Sequence, residues 1–180
     1  MPSTSVWEKA ATAGTGWRKP IVKLMAWGGL LLLLALAKAT LQAAPAATTY
    51  VVNNPTDLPG VPPLTDGHCA ASNRKCTLRA AVMEANHTPR SATIILPAGT
   101  YSLTIPASGP DDETTGDLNI STTVSIQGAG ASSTIIDANG GTTLDRAFSV
   151  GTGAALSLSG VTIRGGAAAV NGGGIYNVGV

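Results

Sequence analysis

The chain has 180 residues, 44% of them hydrophobic but only 12% charged and 4% aromatic, with 22 glycines and a formal charge of +1. Five of its eleven basic residues lie before position 40, and from there on nine acidic side chains face six basic ones. A basic stripe is what nucleic acid and anionic membrane surfaces select for, so this balance argues against both as partners.

Arg18, Lys19 and Lys23 precede an uncharged run from Leu24 to Ala37 that contains the block Leu30 to Leu34. Small-residue sites follow at Ala35-Leu36-Ala37, Ala37-Lys38-Ala39 and Ala44-Pro45-Ala46. Basic region, apolar core and small-residue site in that order mark a secretory signal peptide. The run is shorter than the about 20 residues a spanning helix wants. Residues 1–46 are therefore assigned to a signal peptide and linker, with a retained N-terminal anchor as the alternative. Cleavage would leave an exported protein, extracellular or in the cell envelope and without membrane attachment.

Residues 47–92 mix one strand, an irregular stretch and one helix. Tyr50-Val51-Val52-Asn53 suits a strand, whereas Pro55, Pro59, Pro62 and Pro63 forbid helix as far as Asp66. Cys69 and Cys76 flank a polar loop, and an even pair in an exported chain points to a disulfide. A zinc site would have to recruit His68 and His87, at a spacing unlike a zinc finger. Leu78, Ala81, Val82 and Ala85 fall at i, i+3, i+4 and i+7, a narrow apolar helical stripe with Thr77 placed as its N-cap. Pro89 stops that helix. Its task would be to cover the open end of the β structure that follows.

Residues 93–180 are short β-branched runs between Gly, Asn and Asp: Ile94-Ile95-Leu96, Tyr101 to Ile105, Leu118-Asn119-Ile120, Val124-Ser125-Ile126, Thr134-Ile135-Ile136, Phe148-Ser149-Val150, Leu156-Ser157-Leu158, Val161-Thr162-Ile163 and Ile175-Tyr176. Each alternates in and out with period two, and each is too short for a sandwich strand. A loose repeat near thirty residues aligns Val124-Ser125-Ile126-Gln127-Gly128 with Leu156-Ser157-Leu158-Ser159-Gly160, Ile135-Ile136-Asp137 with Thr162-Ile163-Arg164, and Phe148 with Tyr176. The fold class expected is all-β, a parallel β-helix of two to three rungs behind a short capping helix. The pattern reaches Val180 without a polar closing segment, which suggests a chain truncated at its C-terminus or an open end covered by another copy.

The segment Cys76-Thr77-Leu78-Arg79-Ala80-Ala81-Val82-Met83-Glu84-Ala85-Asn86 resembles the motif that names the CSLREA domain. Further landmarks agree in order: Asp66-Gly67-His68-Cys69, Ile94 to Tyr101, Thr115 to Ile120, Ile126 to Gly130, Thr134 to Asp137 and Gly173 to Asn177. The resemblance covers roughly residues 50 to 180. It implies an exported bacterial protein in which the motif precedes right-handed parallel β-helix repeats. Where the motif carries Glu this chain has Ala80, so the reciprocal half of a capping box is missing and a slightly frayed helix start is expected.

The dense acidic cluster Asp111, Asp112 and Glu113, with Asp117 four residues on, is the candidate for calcium, a hard cation that takes six to eight oxygens. Its spacing matches no calcium loop, and a solvated turn is the preferred reading, with no cofactor. Asp137, Asp145, Arg146 and Arg164 are the charged residues after Asp117, and Asp137 and Arg164 suit a surface ion pair. No Gly-x-Ser-x-Gly elbow occurs. The function expected is a non-catalytic structural, adhesive or glycan-binding module, with glycans or other cell-surface molecules as partners. The alternative is the N-terminal part of a polysaccharide lyase or hydrolase whose carboxylates lie on rungs after Val180. An unstable truncated remnant is the third possibility.

Overall fold

The computed structural model describes residues 46–179, and the signal peptide expected from the sequence lies outside the described residues. In chain order come β1 (Thr48–Val51), α1 (Leu78–His87), β2 (Ala92–Leu96), β3 (Gly99–Ser102), β4 (Leu118–Ile120), β5 (Thr123–Gly128), β6 (Thr134–Asp137), the single turn α2 (Gly140–Thr143), β7 (Phe148–Val150), β8 (Ala155–Ser159), β9 (Thr162–Arg164) and β10 (Ile175–Asn177). The strands make three parallel sheets, ordered β1-β2-β5-β8, β3-β6-β9 and β4-β7-β10. From β2 onward the chain visits these sheets in rotation. The fold is thus all-β and parallel, with little helix.

Period-two alternation sets the register. Ile94 pairs with Ile126 and Ile126 with Leu158, so apolar side chains stack on apolar ones along the inner face. Ile94, Leu96, Leu118, Ile120, Ile126, Ile136 and Phe148 are fully buried. Two of the repeat alignments are observed as strand pairs, Val124 to Gln127 on Leu156 to Ser159 and Ile135 to Asp137 on Thr162 to Arg164. The third requires correction by one place: Phe148 pairs with Ile175, and Tyr176 pairs with Ser149. A one-residue slip exchanges the faces of a strand. Tyr176 therefore stands on Ser149's face of the sheet, with its ring under the Arg146 guanidinium at 5.0 Å. At one corner, Gly128 and Gly160 of successive passes touch so closely that a Cβ on Gly160 would collide with the Gly128 carbonyl oxygen. Only glycine permits that approach.

Leu78, Ala81, Val82 and Ala85 of α1 join the core with Ile94, Leu118 and Ile126, as a helix covering the end of the sheets must. Its other faces differ from expectation. All eight residues from Leu78 to Ala85 are buried, including Arg79 and Glu84, because residues 57–67 pack over the outside of the helix. The Thr77 hydroxyl donates to the Leu58 carbonyl at 2.6 Å, the Gly60 N–H lies 3.1 Å from the Met83 sulfur, and the Gly67 N–H donates to Glu84 Oε1 at 2.8 Å. The N-cap is formed, with Thr77 Oγ1 accepting from the Ala80 N–H. Ala80 is 1% exposed and its backbone lies close to Gly60, so a Glu there would start from a buried position. The helix C-terminus is tied to β4 by Asn86, which donates to the Asn119 carbonyl at 2.7 Å and accepts from the Ser121 N–H at 3.0 Å.

Arg79 joins cap and sheets. Its side chain is 0% exposed, and its Nε donates to Asp57 Oδ1 at 2.6 Å. Nη2 donates to Asp57 Oδ2 and to the Gly116 carbonyl, and Nη1 donates to the Glu113 and Asp117 carbonyls. All five N–H donors of the guanidinium are satisfied. Asp57 Oδ2 accepts in addition from the Thr104 and Ile105 amides. Cys69 and Cys76 form a disulfide that closes the loop ahead of the helix.

Removing one member of a buried ion pair leaves the other charge without a partner, so Arg79→Leu should destabilise the fold by about 3–5 kcal/mol in urea unfolding. Arg79→Lys should rescue only part of the loss, because an ammonium cannot reproduce the fork. For the Cys69–Cys76 loop, closure entropy predicts that reduction lowers stability by about 2.5 kcal/mol, read from the same curves with and without reductant.

Candidate functional site

The four calcium candidates do not converge. Asp112 accepts from the backbone N–H and hydroxyl of Thr114, and those bonds hold its carboxyl below the usual range. Glu113 Oε1 lies 3.7 Å from His87 Nδ1, while its carbonyl serves Arg79. Asp111 accepts from Asn119 Nδ2 at 2.9 Å. Asp117 turns inward and is 3% exposed. Among the described residues, no group of three or more His, Cys, Asp or Glu is arranged to hold a metal ion. His68 is exposed, with its backbone N–H on Asp66, and His87 Nδ1 lies 2.8 Å from the Met83 carbonyl. The cysteines pair with each other, which leaves them no role as zinc ligands. Arg164 Nε donates to Asp137 Oδ2 at 2.8 Å as a solvent-facing ion pair.

What the fold does assemble is a cleft of about 340 Å³ at the starts of β4 and β7. Residues 107–111 form one wall, and Thr115, Asp117, Asp145 and Arg146 line the rest. Asp117 enters it because Arg79 holds the carbonyls of residues 116 and 117 from behind. Gly116, at φ +63°, passes so close that a Cβ would meet Asp145 Oδ2 at 2.6 Å. Asp145 and Arg146 follow α2, whose Thr143 hydroxyl donates to the Ala138 carbonyl and accepts from the Asp145 N–H. Asp145 then takes the Asp117 N–H on Oδ2 and the Arg146 N–H on Oδ1.

The electrostatics of this cluster are unbalanced. Arg146 Nε lies 3.3 Å from Asp117 Oδ2 and 3.4 Å from Asp145 Oδ1, within ion-pair range but misaligned for a hydrogen bond to either. Asp117 Oδ1 is buried and has no hydrogen-bond partner among the described residues. Burial first, then the carboxylates of Asp145 and Asp111, push the Asp117 carboxyl up to about 7, against the opposing pull of Arg146 and Arg79. Sequence reasoning grouped Asp117 with its neighbours in the chain and missed Asp57, Asp145 and Arg146 as partners. No local pattern marks them, since Asp57 lies 22 residues from Arg79 and Asp145 lies 28 residues, a full pass through the sheets, from Asp117.

A carboxyl whose folded pKa lies above its unfolded value binds its proton more tightly in the folded state, so stability falls as pH rises from about 4 to about 7. Asp117→Asn should accordingly raise the melting temperature by several degrees at pH 8 and leave it close to wild type near pH 4, where the carboxyl is largely protonated in both states. Calorimetric melts of the two proteins at both pH values check this.

Compared with known proteins, the chain matches no family model, no curated protein and no solved structure.

Proposed function

We propose that this chain is an exported, CSLREA-like protein in which a disulfide-stapled cap starts a right-handed parallel β-helix, and that it acts as a structural, adhesive or glycan-binding module. The observation that carries this reading is the rotation of the chain through three parallel sheets beneath a helix locked by Arg79. A coil of that kind turns a short repeat into a rigid, extended surface, which suits binding to repetitive polymers. Its two cysteines are spent on a staple, as befits an oxidising compartment. The cap segment from Cys76 to Asn86 resembles the CSLREA motif, with Ala80 as its departure, which favours bacterial export over other settings.

The rival reading is a polysaccharide lyase or hydrolase whose active carboxylates lie on rungs after Val180; within the described residues its support is that Asp117 and Asp145 line one cleft. Glycoside hydrolysis needs its two carboxyls on either side of the scissile bond. Here Arg146 Nε stands within ion-pair range of both, at 3.3 Å from Asp117 Oδ2 and 3.4 Å from Asp145 Oδ1, so the two carboxyls already share a cation. Binding without turnover is the better fit.

Incubating the purified chain with a panel of immobilised plant and bacterial polysaccharides should give retention without release of reducing ends or of unsaturated products absorbing in the ultraviolet. Product release that survives Asp117→Asn and Asp145→Asn would point to a contaminating enzyme. Release abolished by either change would sink the binding reading in favour of the catalytic one.

A further inference from the structure

The cleft between residues 107–111 and the Asp117–Asp145–Arg146 cluster has features that a purely structural ion pair does not require. Two of its polar groups, Asp117 Oδ1 and Arg146 Nε, are buried without a hydrogen-bond partner among the described residues. A buried acceptor left unpaired costs about 1–3 kcal/mol, and more for a charged group. The cleft volume of about 340 Å³ falls at the lower end of the about 300–1,000 Å³ typical of small-ligand sites. Its outer wall is small and exposed, built from Ala107, Ser108, Gly109 and Pro110.

Charge decides what could enter. A cation could satisfy Asp117 Oδ1 but would meet the Arg146 guanidinium, which already stands against both inner carboxylates. An anion could satisfy Arg146 but would face Asp111, Asp117 and Asp145 together. An apolar group would leave both unpaired atoms as they are. A hydroxyl donates to one and accepts from the other, and it brings no charge of its own.

We propose that this cleft binds a neutral, hydroxyl-rich sugar, one hydroxyl donating to Asp117 Oδ1 and accepting from Arg146 Nε, with Asp111 and Asp145 available to further hydroxyls. This rests on the glycan-binding reading above and gives it a place and a ligand class. Tyr176 supports the site from below by holding the guanidinium against its ring.

The test is calorimetric titration of the full chain with neutral hexasaccharides of glucose, mannose and galactose, alongside hexagalacturonate and calcium chloride. At least one neutral hexasaccharide should bind. Ser108→Trp, which fills the mouth from an exposed position, and Asp117→Asn should each weaken that binding at least tenfold. Asp137→Asn, on a different sheet, should leave it unchanged. Thermal melts of each variant establish that it is folded. Neutral-sugar binding that ignores Ser108→Trp and Asp117→Asn would overturn the cleft as its site while leaving the glycan-binding function in place. Binding of hexagalacturonate or calcium alone would overturn the neutral ligand. A protein that takes none of the oligosaccharides would overturn both.

Discussion

The buried guanidinium of Arg79 is the contact on which the arrangement of this protein depends. It reaches from the cap helix to Asp57 in the segment before the helix and to three carbonyls in the long loop between β3 and β4. Three stretches distant in sequence are thereby held at one point. Taking such a charge out of water costs several kcal/mol, and only a complete set of partners offsets that cost. Removing either partner would leave the other charge buried and uncompensated. A cap docked in any other position would leave the charge buried and unpaired.

The sheets need this cap because each strand has only three to six residues. No one ladder of that length is stable alone. Stability comes from stacking one pass on the next around a shared interior, and the first pass needs a partner on its outer side. Leu78, Ala81, Val82 and Ala85 supply it, and residues 57–67 shield the back of the helix in turn. Burial on all sides explains why α1 tolerates Arg79 and Glu84 facing away from the core. Each meets a designated partner in the covering segment.

The same lock shapes the polar cleft. By gripping the carbonyls of residues 116 and 117, Arg79 presents the Asp117 side chain to Asp145 and Arg146 on the neighbouring pass. Burial first, and then the carboxylates of Asp145 and Asp111, disfavour ionisation of Asp117 against the opposing pull of Arg146 and Arg79, which is why its carboxyl is pushed up to about 7. Cap and cleft are thus mechanically continuous. A change that loosens the cap should also disturb the cleft.

Much of the scaffold was legible in the chain because it is written in local periodicity. Alternation of β-branched residues located β2 and β4 to β9, the i, i+3, i+4, i+7 spacing located α1, and Thr77 and Pro89 marked its ends. The near-thirty repeat foretold two strand pairings and missed the third by one place, since Ile175 and Tyr176 are adjacent and either could have been the inward residue. The turn α2 escaped notice because Gly-Gly-Thr-Thr carries no helical pattern and is held by tertiary hydrogen bonds. Nothing local connects Asp57 with Arg79, or Asp117 with Asp145 and Arg146. By itself the sequence determined most of the strands with their inner faces, and the capping helix with its apolar stripe, because short-range sterics and apolar spacing act between near neighbours. Which charges meet, which are buried and where a cleft opens was decided only by the tertiary structure, because those contacts depend on loops whose paths no local periodicity records.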